Sequence, residues 1–318
     1  MVMTMYTSNN LCNIRTGTVI QGKWHKHRYE IIKQLGKGAN GVVYLAKEGR
    51  TFVALKISNQ ATAMMSEVNV LKRFSEVQGV ALGPCLLDVD DWIHPQEKKI
   101  YSFYVMEYIE GDDLLTFIQK RGKEWIIVII LQLLGDLHKL HEKGWVFGDL
   151  KPENLIVSGK VPKVRLIDVG GTTIRGRAIK EFTEFFDRGY WGMGTRKADP
   201  SYDLFAVAMI MINMCYPKRF ERKENGREQL RLMICSHPYL KTYEKILWRA
   251  LDGKYTCAYE MRKELLQCMQ QPSMQTEKKR GERVVHVKEK KKFRWVETMF
   301  LFVCVLFMYV VYLYVQIL

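Results

Sequence analysis

GWVFGDLKPENLIV, residues 144–157, sets apolar strand-like runs on either side of a short polar turn. The turn carries a carboxylate at Asp149, an ammonium at Lys151 and an amide at Asn154, two and five residues past the first. An isolated Asp in such a place is usually a turn residue, satisfying its own backbone. The reading therefore depends on whether other parts of the chain supply matching chemistry at matching distances.

They do. Fourteen residues past Asn154, RLIDVGG (165–171) puts Asp168 at the end of another apolar strand. Far upstream, Gly36-Lys37-Gly38-Ala39-Asn40-Gly41 with Val43 lies between two strand patterns. Glycines there let the backbone approach phosphate oxygens and offer amide hydrogens to them. A dinucleotide fingerprint needs a helix next, whereas Val42-Val43-Tyr44-Leu45 reads as a strand. Fifteen residues past Gly41, VALK (53–56) ends on Lys56, within reach of a nucleotide held by that loop. Lys56 needs an acidic partner to hold it; Glu67, opening EVNVLKRF, is the first candidate and Glu76 the second.

Residues 29–57 alternate apolar and polar, with Gly-rich and charged turns between the runs, an antiparallel strand pattern. Thr62–Val77 has helical spacing, and Ile100–Ile109 is a further strand ended by Glu110-Gly111-Asp112. Trp125–His141 and residues 202–216 suit buried helices, and helical patterns continue to Met269. A strand-rich first third thus precedes a helix-rich remainder.

These motifs, in this order, resemble the Hanks-type protein kinases from Tyr29 to Met269, with GDLKPEN as the Ser/Thr form of their catalytic loop. More narrowly the chain resembles the YabT-like membrane-anchored kinases of spore-forming bacteria, sharing FGDLKP, IDVGGTT and YDLFAVAMIMIN. The resemblance implies an α+β bilobal kinase fold, with an antiparallel-sheet N-lobe, a helical C-lobe and a C-terminal transmembrane helix. It implies Ser/Thr-protein kinase activity with ATP and Mg²⁺, and DNA as a candidate ligand of the basic surface. Asp149 is then the catalytic base and Lys151 the contact to the γ-phosphate, while Asn154 and Asp168 hold the metal. Leu35, Gly36, Lys37, Gly38, Ala39, Asn40, Gly41 and Val43 cover the nucleotide, and Lys56 clamps its phosphates with Glu67 as partner.

The chain departs from the family pattern at several points. Phe147 and Val169 stand where the family has His and Phe; both keep an apolar stack with Leu71. Gly148 stands where many kinases have an arginine that pairs with a phosphorylated activation segment, so another contact, such as dimerisation or a ligand on the basic face, is expected to set the active arrangement. No Ala-Pro-Glu follows Asp168, and its usual arginine partner is missing too, avoiding a lone buried charge. Asp203 matches the aspartate that braces the catalytic loop. Thr172, Thr173 and Thr183 are candidate phosphosites by position, against the alternative of solvated loop threonines.

Apolar content of 47% and charged content of 26% are those of a globular protein. Seven scattered cysteines without a C-x-x-C pair suggest neither a disulfide framework nor a zinc site of that kind. Lys and Arg outnumber Asp and Glu by 49 to 34, and Lys278–Arg294 alone carries a local +7. Such a field favours polyanions. An anionic lipid surface and DNA both remain open as ligands of the linker and of clusters such as 23–28 and 218–231. Met299–Leu318 carries no charge and, at about 1.5 Å per residue, spans about 30 Å, a bilayer's hydrocarbon thickness. Basic residues on its N-terminal flank put the kinase body on the cytoplasmic side of the cell membrane, with a single pass. The first 17 residues lack a charged leader followed by an apolar stretch, so no signal peptide is expected. The expected domains are an N-terminal extension (1–28), the kinase domain (29–269; N-lobe about 29–106, C-lobe about 111–269), a basic juxtamembrane linker (270–297) and the transmembrane helix (298–318). Expected partners are protein substrates with Ser or Thr acceptors, the protein itself included, the membrane, DNA, and a second copy in a homodimer. The alternative is a pseudokinase scaffold at the membrane, which the intact Lys56, Asp149, Asn154 and Asp168 disfavour.

Overall fold

The computed structural model describes residues 14–38, 40–75 and 83–270. Ala39 of the glycine loop, Glu76, the linker beyond residue 270 and the Met299–Leu318 segment lie outside them. Among the described residues no helix is long and apolar enough to cross a membrane.

The first lobe is a sheet of six strands: β1 (Val19–Gln21), β2 (Arg28–Gly38), β3 (Gly41–Glu48), β4 (Thr51–Ser58), β5 (Leu86–Ile93) and β6 (Ile100–Glu107), with helix α1 (Ala61–Ser75) between β4 and β5. Their order is β1-β2-β3-β4-β6-β5, and every pairing is antiparallel. The alternating residues of β2 to β4 close over Tyr29, Ile31, Val42, Tyr44, Leu55 and Ile57, all nearly inaccessible to water. β1 comes from the stretch expected to be an extension ahead of the domain. Ile20 is fully buried in the sheet's core, and Val19 and Gln21 pair with Glu30 and Arg28. Three residues were too short a run to read as a strand; the sheet edge ahead of them supplies the order.

The second lobe opens with β7 (Asp112–Asp113), α2 (Leu114–Arg121) and α3 (Glu124–Glu142), followed by β8 (Trp145–Val146), β9 (Leu155–Ser158), β10 (Lys163–Leu166) and β11 (Thr173–Ile174). Helices α4 (Pro200–Cys215), α5 (Gly226–Ser236), α6 (Pro238–Thr242), α7 (Glu244–Leu251) and α8 (Ala258–Gln270) complete it. Asp199 caps α4, accepting from Tyr202 N at 3.3 Å, and Pro200 fills the first turn, where a missing N–H costs nothing. α4 is largely apolar and buried at every position except Ser201, with Asp203 and Asn213 as its buried polar residues, the pattern of a central core helix. One apolar cluster runs from α1 and β6 through α3 and α4 to α8, so both lobes share a core.

Candidate active site

The polar turn of residues 149–154 lies between β8 and β9. Pro152–Asn154 form a single 3₁₀ turn, and Asn154 N donates to Lys151 O at 3.0 Å. The Asn154 side-chain nitrogen donates to Asp149 O at 2.9 Å, leaving its amide oxygen as the atom free for a cation. Ile167 N donates to Asn154 O at 3.0 Å, which ties the approach to Asp168 to the same loop.

Asp203, fully buried on α4, holds this loop from behind. It accepts from Phe147 N at 2.8 Å, from Gly148 N at 2.9 Å and from His141 Nε2 at 2.8 Å. Gly148 has φ +86°, and a β-carbon there would lie 2.7 Å from Gly171 O. The glycine is therefore a requirement of this backbone, not merely an arginine lost. Phe147, Val169 and Leu71 are all buried in the shared core cluster, as expected of an apolar stack.

Lys56, on β4 opposite Val43, bonds Glu67 of α1 at 2.6 Å, and both are buried. Tyr104 donates to the same Glu67 oxygen at 2.8 Å. Burial and the Glu67 carboxylate push the Tyr104 phenol well above its ordinary value, so it remains a donor. Leu35 to Gly38 end β2, and Gly41 opens β3 opposite Gly38, so the glycine loop is the tip of a hairpin. Asn40 at that tip donates to Glu181 at 2.6 Å. A β-carbon on Gly170 would lie 3.3 Å from both Asp168 and Glu67 and 3.5 Å from Glu181. Three carboxylates therefore gather at one point beneath the glycine loop.

Asp149 and Lys151 are ion-paired, and Thr183 joins them: its hydroxyl donates to Asp149 Oδ1 at 2.8 Å and accepts from Lys151 Nζ at 3.2 Å. This corrects one expectation. Thr183 is bonded to the reactive pair, and Thr172 and Thr173 are buried, with Thr173 donating to Gly171 O at 2.9 Å. None of the three is a solvated loop threonine. The pairing of β11 with β8, Thr173 opposite Val146, pulls Thr172 and Thr173 inside.

Two further networks hold the segment that lacks Ala-Pro-Glu. Buried Asp187 accepts from Arg196 Nε at 2.8 Å, Tyr202 Oη at 2.9 Å and two backbone amides. Buried Arg188 donates to Asp199 Oδ2 at 2.8 Å, Ser201 Oγ at 2.5 Å and the carbonyls of Thr195 and Lys197. Burial pushes the Asp199 carboxyl up, but its bonds to Arg188 and Ser201 outweigh this and hold it below the ordinary carboxylate range. Sequence reasoning missed Thr183's bonding role, Glu181, Tyr104 and this charge network, because each acts through a distant partner.

The protein kinase domain family matches residues 29–290. The chain belongs to the protein kinase family. It is 55% identical over 255 residues to the serine/threonine-protein kinase YabT of Bacillus subtilis, covering 80% of this chain and 75% of that one. It is also 31% identical over 223 residues to the serine/threonine-protein kinase Aurora-2 of Arabidopsis thaliana, covering 67% of this chain and 77% of the relative. Among solved structures, vaccinia related kinase 3 superposes with a TM-score of 0.62 at 16% identity, covering 83% of this chain and 93% of that one, which shows the fold alone. The chain is a bilobal, YabT-like bacterial Ser/Thr-protein kinase, using ATP and a divalent metal. The family match extends past Met269 into the stretch read as linker.

Proposed function

We propose that this kinase is anchored in the cell membrane through Met299–Leu318, works on its cytoplasmic side, and phosphorylates Ser and Thr of cytosolic proteins and of itself. The observation that carries the catalytic part is the bonding of Asp149, Lys151 and Thr183 alongside the buried Lys56–Glu67 pair.

Asp149 accepts the proton of the acceptor hydroxyl and aims its oxygen, and Lys151 steadies the transferring phosphoryl group. Lys56 orients the nucleotide phosphates, held by Glu67, which Tyr104 in turn fixes. Residues 35–41 and Val43 close over the nucleotide. The Asp168 carboxylate and the Asn154 amide oxygen are hard donors that suit Mg²⁺. When bound there, Mg²⁺ would neutralise charge on the phosphates; the residues' own task is to position it.

The anchoring part is supported by an uncharged run of bilayer length behind the +7 linker. DNA or anionic lipid on the basic surface is proposed as the activating contact, with dimerisation as its structural route, since Gly148 removes the usual phosphate-reading arginine.

The test is transfer of labelled phosphate from ATP to itself and to protein acceptors by the full chain in detergent or vesicles. Asp149→Asn is expected to lose at least about 10²-fold, near 3 kcal/mol of transition-state stabilisation. Activity unchanged by that substitution would overturn the catalytic assignment, and the wild-type chain recovered as soluble without detergent would overturn the anchoring.

A further inference from the structure

The N-lobe carries a cluster of side chains of metal-ligating type, on the β1–β2 turn and β5, residues with no part in the nucleotide cleft. Lys23 N donates to Asp91 O at 2.8 Å, which draws the turn against β5. Asp88 and Asp90, two apart on that strand, share a face. Their side chains are 7% and 0% exposed, and the His25 ring beside them is 55% exposed. His25 Nδ1 lies 2.6 Å from Asp88 Oδ1 and 4.0 Å from Asp90 Oδ2.

Two buried carboxylates side by side are costly unless charge is returned to them. Asp90 accepts from the amides of Trp24, His25 and Asp91, the closest at 2.7 Å. Asp88 accepts from Val89 N and from Tyr29 Oη, both at 2.8 Å. His27 Nδ1 stands 3.2 Å from Asp88 Oδ2. Among the described residues, no Lys or Arg pairs with either carboxylate, although the turn carries Lys23 and Lys26 and β2 opens on Arg28. Only a glycine at position 22 admits this packing, since a β-carbon there would fall 2.2 Å from Asp90 Oδ2. The arrangement leaves two buried carboxyl groups in a notch with the imidazoles of His25 and His27 at its mouth.

We propose that His25, Asp88 and Asp90 bind a divalent transition-metal ion, through His25 Nδ1 and one oxygen of each carboxylate, with water completing the shell. The three donor atoms lie within 4.8 Å of one another. Metal–ligand bonds of about 2.0–2.2 Å place neighbouring donors roughly 3.3 Å apart. The 2.6 Å contact must open and the 4.0 Å contact close, each by less than an ångström. The mixed nitrogen and oxygen set favours Zn²⁺ over Mg²⁺. Tyr29 and His27 orient the Asp88 carboxylate from outside the metal's shell. The bound ion ties the β1–β2 turn to β5 and stabilises the lobe by mass action. It also uses His25, within a basic cluster otherwise read as a polyanion contact.

Full-length protein in detergent, stripped with chelator and free of nucleotide, is titrated with Zn²⁺ and compared with His25→Ala, whose exposed ring makes misfolding no concern, and with Asp88→Asn. Wild type is expected to bind one more equivalent of Zn²⁺ than His25→Ala, or to bind it at least about tenfold more tightly. Its thermal midpoint should rise with Zn²⁺ and not with Mg²⁺, and the rise should vanish in His25→Ala. Co²⁺ should show a spectrum without thiolate bands for the equivalent lost in the variant. Equal stoichiometry, affinity and thermal shift in wild type and His25→Ala would overturn the proposal, as would Co²⁺ bound by thiolates alone.

Discussion

At the scale of single residues, Thr183 is the side chain whose chemistry is least visible in its neighbours along the chain. Its hydroxyl both gives and takes a hydrogen bond, one to each of two reactive groups 34 and 32 residues away. Valine keeps its shape and removes both bonds. Thr183→Val is expected to lower kcat by about 10- to 100-fold, or roughly 1.4–3 kcal/mol, with Thr183→Ser restoring most of it. ATP affinity should stay unchanged, because Thr183 touches neither Lys56 nor the glycine loop; a loss confined to ATP binding would contradict this. Gly148 makes a different argument. Its φ of +86° and the 2.7 Å approach to Gly171 O leave no room for a β-carbon. Restoring the family's arginine by Gly148→Arg should therefore destabilise the chain by about 2–4 kcal/mol and give no response to phosphorylation. Thermal unfolding measures the first, and activity before and after phosphatase the second.

Among elements, the segment from Asp168 to Asp199 lacks the family's Ala-Pro-Glu and is nonetheless firmly bonded. Its start is pinned by β11 against β8, and its end by Arg188 with Asp199 and by Asp187 with Arg196. Between these pins it reaches both other parts of the cleft. Lys180 donates to Ser66 of α1 at 3.2 Å, and Glu181 accepts from Asn40 at the tip of the β2–β3 hairpin at 2.6 Å. Glu181 adds a third carboxylate beside Asp168 and Glu67, where nucleotide phosphates must enter. Like charges a few ångströms apart near a surface repel by about 1 kcal/mol or more. Glu181→Ala is therefore expected to tighten ATP binding about three- to tenfold. It should also speed hydrogen exchange in the glycine loop of the nucleotide-free protein, which loses its tie. Weaker ATP binding in this variant would mean that Glu181 holds the loop closed over the nucleotide.

Over the whole molecule, charge is the property that length and topology leave free. The excess of 49 basic over 34 acidic residues is not all available to a polyanion. Arg219 is paired with Glu153, Arg227 with Asp252, and Arg222 donates to Tyr190 O. The charges that displace counterions from a polyanion must come largely from the remaining basic residues and from the linker. Duplex DNA should bind the full chain with an affinity that falls steeply between about 50 and 200 mM salt and depends little on sequence. Anionic vesicles serve as the parallel arm. A flat salt response in both would remove polyanions as ligands of this surface.

How much of this was legible beforehand follows from distance along the chain. The glycine loop, Lys56, the 149–154 turn and Asp168 are short patterns whose spacing carries their chemistry, and the apolar periodicities announced α3, α4 and the hairpins. The partner of Lys56 was expected to be Glu67, opening EVNVLKRF, ahead of Glu76, and the 2.6 Å bond agrees. Three residues of β1, the burial of Thr172 and Thr173, the role of Thr183 and the gathering of His25 with Asp88 left no local mark. Each depends on long-range pairing, which no window of sequence contains. The chain by itself determined which chemical groups exist and in what order. Tertiary structure alone decided which of them share a desolvated space, because burial and hydrogen-bond geometry belong to the packed core and not to the string of residues.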